Sequence, residues 1–163
     1  MIMKVATVVK EGERAVVDLL GPRIEPLTSS ENGSYCVMKG VLPPGVSVPL
    51  HSHGDPESFY VVSGEAQVLA QTNKGLEWRT VRKGDFVHIP GGTKHAWRNL
   101  SNVPSEVVLT LTPKLGRFLL ELGAFARTEG GSRFLEQVHD LEEGYGYWSG
   151  SPEENAAAGI ELL

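Results

Sequence analysis

The stretch GVSVPLHSHGDPESFYVVSG, residues 45–64, is followed nineteen residues later by GDFVHIPGGTKHAWRN, residues 84–99, and the two together decide how this chain folds. They spell Gly45-x5-His51-x-His53-x3-Glu57-x6-Gly64 and Gly84-x5-Pro90-x-Gly92-x2-His95-x3-Asn99. Side chains alternate along a strand, so His51 and His53 share one face, and Glu57 returns to it by parity after a bend at Gly54-Asp55-Pro56. His95 has to arrive from a second strand. Three imidazoles and a carboxylate suit a borderline divalent transition metal: Fe, Mn, Co, Ni, Cu or Zn. Any one of these four residues alone reads as an ordinary polar side chain; together they read as metal ligands, because one cation gives all four buried groups a partner.

The remaining motif positions have structural readings. Gly64 and Gly92 suit turns with positive φ, Pro90 ends a strand, and Asn99 is a hydrogen-bond anchor for the last motif strand. Asp55 is not the carboxylate ligand, because the spacing from His53 selects Glu57. His88 and His139 fall outside the pattern and read as ordinary histidines. By strand parity Phe59 and Val61 share the face of Glu57, Trp97 shares that of His95, and Cys36 and Met38 point inward, so these five are the expected pocket lining; the alternative is plain barrel core. With no second cysteine and no adjacent base, Cys36 reads as a small buried hydrophobe rather than a catalytic thiol.

Short apolar runs rich in Val, Tyr, Phe and Thr recur between Gly, Pro, Asn and Ser: Lys4–Val9, Ala15–Leu20, Tyr35–Leu42, Ser58–Val62, Ala66–Gln71, Leu76–Val81, Phe86–Ile89, His95–Arg98 and Val107–Leu111. Many short strands at this spacing make a sandwich or barrel, and a double-sheet jelly roll brings the two motif strands face to face. After Leu111 the pattern changes. Thr112 can cap a helix begun by Pro113, with Leu115, Phe118, Leu119 and Leu122 as its apolar stripe and Gly123 as its stop. A second helix follows Ser132, with Phe134, Leu135, Val138 and Leu141 on one side and Gly144 at its end, and Ser151-Pro152-Glu153-Glu154 opens a short Ala-rich piece. These stripes read as packing on the barrel. The expected division is a barrel with N-terminal strands over 1–112, motif core 45–99, and a C-terminal helical extension over 113–163.

Both motif segments are similar, position for position, to the two motifs of the cupin superfamily, and the likeness covers about residues 33 to 112. The run Leu111-Thr112-Pro113-Lys114-Leu115-Gly116-Arg117-Phe118 with Glu121-Leu122-Gly123 resembles the tail of small cupins of the quercetin-dioxygenase-like group. The resemblance implies an all-β double-stranded β-helix (jelly-roll) with short C-terminal helices, and a dioxygenase acting on a small phenolic or enolic compound. Glu57 would serve as both ligand and proton acceptor. The same fold and ligands also occur in cupin isomerases, decarboxylases and non-enzymatic small-molecule binders, so those classes stay open.

At 163 residues the chain has the length of one domain, able to bury about two-thirds of its unfolded surface. Forty per cent apolar and 21% charged residues place it among globular proteins, and a net charge of −5 offers no basic stripe for nucleic acid or an anionic membrane. A single cysteine cannot form an internal disulfide, and the N-terminus is too short and too interrupted by lysine for a signal segment, so the expected location is cytoplasmic. The expected partners are a small-molecule ligand or substrate and a second copy of the chain, paired as a homodimer through the edges offered by Lys4–Val9 and Ala15–Leu20.

Overall fold

Alternation governs the barrel. In β5 (Glu57–Ser63), Glu57, Phe59 and Val61 are buried while Tyr60 and Val62 are exposed; in β3 (Cys36–Leu42), Cys36, Met38 and Gly40 are buried. Strands patterned this way can bury one face each, and they do so as two antiparallel sheets in a computed structural model that describes residues 5–31, 33–128 and 132–162. One sheet has the order β1 (Val17–Asp18), β2 (Arg23–Pro26), β3, β10 (Ser105–Leu111), β5, β8 (Phe86–Ile89). The other runs β11 (Trp148–Ser149), β4 (Ser47–Ser52), β9 (His95–Arg98), β6 (Glu65–Thr72), β7 (Gly75–Arg82). This is the jelly-roll barrel that the motif spacing predicts.

The main core fills the space between the sheets with Met38, Phe59, Val61, Val68, Trp97, Leu109 and Leu111 among others. A second, smaller cluster lies on the outer face of the five-stranded sheet, where Leu50, Leu69 and Ala96 are covered by Ile160, Trp78 and Trp148. Burying an aliphatic side chain contributes about 1.5–3 kcal/mol, so the C-terminal tail is held by the same effect as the barrel. Asn155, 1% exposed, adds direction: its Oδ1 accepts from the Leu50 amide at 2.9 Å, while Nδ2 donates to the Gly150 and Ser151 carbonyls. That fixes α3 (Pro152–Ala157), which starts with a Ser151–Glu154 capping box, against β4.

Several elements differ from the sequence reading. Residues 5–10 form no strand and lie exposed, with Lys4 outside the described residues, and the Ala15–Leu20 run shrinks to Val17–Asp18. β2 and the two-residue β11 went unrecognised, being short and weakly patterned. Glycine 123 does not stop α1 (Pro113–Thr128); a Cβ there would sit 2.1 Å from Val17 Cγ1, so this glycine lets the helix cross β1 closely. α2 (Ser132–Tyr145) starts as expected and runs one residue past Gly144 to Gly146, whose φ is 74°. Phe134 and Leu135 of its stripe lie outside the residues whose side chains are described, while Leu141 packs on the core. Asn99 anchors as expected: fully buried, it donates to the carbonyls of Leu42 and Val103 at 2.9 and 2.8 Å.

Two motif glycines with the same backbone sign separate turn geometry from close approach. Both Gly45 (φ 76°) and Gly64 (φ 75°) adopt left-handed conformations, but a Cβ on Gly64 would meet the Pro104 carbonyl oxygen at 2.1 Å whereas Gly45 faces open space. Gly45→Ala is expected to cost about 1 kcal/mol and Gly64→Ala at least about 3 kcal/mol. Urea unfolding of the two variants measures this; equal midpoints would mean that the approach to Pro104 carries no energy.

Candidate metal centre

His51 ends β4 next to Ser52 and pairs directly with His95 at the start of β9, so two imidazoles stand side by side on one sheet. His53 follows in the loop after β4. Glu57 opens β5, which belongs to the opposite sheet, so it meets the histidines across the barrel and not along a common strand face as parity alone suggested. The chain turns between sheets at 53–56, and loop 90–92 holds that turn: Gly92 N donates to His53 O at 2.7 Å, and a Cβ on Gly91 would lie 2.1 Å from Gly54 O. Donor atoms of His51, His53, Glu57 and His95 all lie within 4.8 Å of one another.

The protonation pattern shows what these residues fit. The Nδ1 of His51 lies 2.7 Å from Pro49 O, that of His53 2.7 Å from Asp55 O, and that of His95 2.8 Å from Thr93 O. A carbonyl oxygen only accepts, so each Nδ1 carries the hydrogen and each neutral ring turns an Nε2 lone pair toward the others. Glu57 Oε1 sits 2.8 Å from His95 Nε2 and 3.6 Å from His53 Nε2. The closer approach lacks hydrogen-bond alignment, and His95 Nε2, in a residue 1% exposed, has no hydrogen-bond partner. Three lone pairs and a carboxylate facing one buried point fit a divalent cation, and the carbonyls behind the rings are the outer support that such ligands use. This cluster is able to hold a metal ion.

Electrostatics agree with that reading. Burial and the neighbouring His95 lower the His51 ring to about 3, so it stays neutral and available as a donor. For Glu57 burial alone would raise the carboxyl, but the adjacent His53 and His95 rings outweigh it and hold the group at about 2. For His53 burial acts against the charge, while the neighbouring Glu57 carboxylate overcomes it and raises the ring above its ordinary value. Glu57 thus favours the charged form of His53, and a metal ion, which needs the His53 Nε2 lone pair, would compete with that proton.

Asp55 is no ligand; it joins the site to the C-terminal segment. Tyr147 OH donates to Asp55 Oδ2 at 2.8 Å, and the Thr112 hydroxyl, whose oxygen accepts from Leu115 N at the start of α1, donates to Asp55 Oδ1. Burial opposes ionisation of Asp55, but these two hydroxyls and Lys114 keep its carboxyl below the usual range. Burial and Asp55 push the Tyr147 phenol well above its ordinary value, so it remains a donor. The Tyr147 ring also packs on His53, centroids 5.4 Å apart, and on Phe118 at 4.9 Å.

A cavity of about 70 Å³ opens on the ligand set. The barrel supplies His51, His53 and Glu57 to its wall; α1 supplies Leu115, Phe118 and Leu119, α2 supplies Glu142, and Tyr147 and Trp148 complete it. Phe59, Val61, Trp97, Cys36 and Met38 are not in that wall. They are at most 7% exposed and packed in the barrel core, where Phe59 and Trp97 stand 4.7 Å apart, centroid to centroid. Parity found the correct face but not the depth. Sequence reasoning missed the cap residues as cavity lining because they lie outside both motifs and carry no metal-ligand spacing; the aromatic run Tyr145-Gly146-Tyr147-Trp148 was the one local signal. His88 bonds Ser58 on the outside of the barrel at 2.9 Å, and His139 is exposed on α2.

A saturating divalent ion that binds only the folded chain should stabilise it by about 2.7 kcal/mol at 100 times its dissociation constant. Zinc is expected to raise the melting temperature of the wild type, and His95→Ala should lower affinity at least 10–100-fold and abolish that rise. Thermal melts and elemental analysis check this. A full equivalent of metal in a His51→Ala, His95→Ala double variant would refute the ligand set.

Residues 38–111 match the cupin domain family profile (Cupin_2). The uncharacterized protein MJ1618 of Methanocaldococcus jannaschii is 29% identical over 75 residues, which cover 46% of this chain and 58% of that protein's length. Among solved structures, the polyketide cyclase RemF of Streptomyces resistomycificus is similar with a TM-score of 0.59 at 15% identity, covering 66% of this chain and 79% of that one. Oxalate decarboxylase of Bacillus subtilis is similar with a TM-score of 0.54 at 23% identity, covering 66% of this chain and 30% of that one. At these identities the two structures speak for the fold alone. The profile match spans every strand that carries the His/Glu cluster, and with the double-stranded β-helix architecture it supports placing this chain in the cupin superfamily.

Proposed function

We propose that this protein is a metal-dependent enzyme of the dioxygenase type acting on a small enolic or phenolic compound, with His51, His53, Glu57 and His95 as the metal ligands. The observation that carries the reading is the convergence of three Nε2 lone pairs and one carboxylate at a point that borders a small, largely apolar cavity, with His51, His53 and Glu57 in its wall. Four protein ligands leave coordination positions free, which is the arrangement of a catalytic rather than a structural site. When bound, a divalent ion acidifies a coordinated hydroxyl and, if redox-active, activates O2. The chain does the rest: backbone carbonyls hold the imidazoles in one tautomer, and Leu115, Phe118 and Leu119 exclude water. Glu57, ionised and beside the ligand position, accepts the proton of an incoming enol.

Cavity size sets the substrate. Pockets for drug-sized ligands run from about 300 to 1,000 Å³, so 70 Å³ favours a compound of a few heavy atoms over a multi-ring flavonol. Glu57→Gln keeps the size and an oxygen ligand while removing the basicity. It should retain part of the metal and lose roughly 10²-fold in O2 uptake, measured with Fe-, Mn- or Ni-loaded protein against small 1,3-diketones and catechols, with a flavonol as size control. Undiminished uptake by a metal-containing variant would remove the proton-acceptor role. Absence of uptake by the wild type across the panel would favour the second reading, a non-enzymatic small-molecule binder.

The proposed assembly is a homodimer, and the face that supports it is the outside of the six-stranded sheet rather than the N-terminal segment. Tyr60 and Phe86 are cross-strand partners there, 50% and 65% exposed, with Val62 alongside at 40%. Light scattering at micromolar concentration should give twice the chain mass for the wild type and a monomer for Tyr60→Glu combined with Phe86→Glu; a monomeric wild type would contradict the proposal.

A further inference from the structure

Every wall of the cavity other than the ligands comes from residues 115–148, so the barrel provides the metal position and the C-terminal cap decides what is admitted. Of the six cap residues, Leu115, Phe118, Leu119 and Trp148 present apolar or aromatic surface, and the Tyr147 hydroxyl is committed to Asp55. Glu142 is the exception. It is half-buried, bonded to the Ser149 hydroxyl, and burial raises its carboxyl above the ordinary value. Among the described residues no lysine or arginine pairs with it; the charged neighbour that acts on it is the exposed His139, on the same helix, which favours the carboxylate form. The two nearby lysines are engaged elsewhere: Lys114 donates to Tyr145 O at 3.0 Å and lies 5.2 Å from the Tyr147 ring, and Lys94 pairs with Glu154 at 3.7 Å and lies 3.9 Å from the Trp148 ring.

A partly desolvated carboxylate with no lysine or arginine partner, set in an apolar and aromatic wall, asks its ligand for a positively charged donor. We infer that Glu142 is a specificity-determining residue that selects substrates carrying a protonated amino group, so that the compound bound here is a small amino-substituted molecule held by an oxygen at the ligand set and by its ammonium at Glu142. The cavity of about 70 Å³ is small, so only a short spacer fits between the two ends. This inference rests on the metal-centre reading for the oxygen end alone; the ammonium end depends only on the cap.

The test compares β-alanine with butyrate, which share a carboxylate and chain length and differ by an ammonium in place of a methyl group. Titrations are run on metal-free and zinc-loaded wild type, Glu142→Gln and Glu142→Ala, with bound zinc counted in each. Wild type should bind β-alanine about tenfold or more tightly than butyrate, the scale of a charge-assisted hydrogen bond, and both variants should reduce the ratio to about one while butyrate affinity stays unchanged. A wild-type ratio near one overturns the inference, as does a preference that survives in the variants. If the variants strengthen both compounds alike, Glu142 balances the charge of the metal and selects nothing. Failure to take up zinc counts against the metal centre, and the metal-free titration still decides the role of Glu142.

Discussion

Three imidazole lone pairs and a carboxylate are aimed at one buried point, and the rest of the barrel is arranged around keeping them there. Each ring is fixed by its own local carbonyl, from Pro49, Asp55 or Thr93, so the tautomer is set within two residues of each histidine and does not depend on distant packing. Their convergence does depend on packing. His51 and His95 are neighbours because β4 pairs with β9, and Glu57 reaches them because β5 lies in the facing sheet. A desolvated carboxylate opposite unpaired imidazole nitrogens needs a counter-charge, which is supplied by a proton on His53 or by a cation. The second option satisfies all four groups at once.

Asp55 extends this constraint beyond the barrel. Lying between two of the ligands, it accepts hydrogen bonds from Thr112, which caps α1, and from Tyr147, which follows α2. Both ends of the helical cap therefore converge on the same turn that carries His53 and Glu57. The chain then continues into β11, which pairs beside His51 and extends the five-stranded sheet, so the C-terminal part is built into the barrel and not merely laid upon it. Asn155 and Ile160 secure its far end on the outer face of β4. Position and access are thus served by different parts of one hydrogen-bonded unit.

That division bears on how function is distributed in the chain. The ligand set specifies a class of chemistry shared by many barrels of this shape, and nothing in His51, His53, Glu57 or His95 distinguishes one substrate from another. On the proposed reading, discrimination falls to the apolar surface of α1, to Glu142 and to the two aromatic residues before Ser149, which line the cavity. The small cavity would then limit the size of the ligand, and Glu142 its charge.

The motif pair, the punctuated apolar runs and the cupin likeness together were enough to read the jelly roll, the four clustered residues and the anchoring role of Asn99, because strand alternation and turn glycines are local properties that a linear pattern preserves. The helices at Pro113, Ser132 and Pro152 were legible for the same reason: caps and apolar stripes act over one or two turns. Other assignments were decided in three dimensions. Gly123 looks like a helix stop in sequence and is a crossing point in space, since only the approach of Val17 reveals why no side chain fits. Glu57 appears to share a strand face with the histidines, yet it reaches them from the opposite sheet. Phe59, Val61, Trp97, Cys36 and Met38 have inward parity, but depth along the barrel axis is not encoded in parity, and they became core. Tyr147 and Glu142 carry no motif at all; they reach the cavity because burying the cap's apolar stripe folds the chain's last fifty residues back over the ligands, and that is a property of packing rather than of spacing.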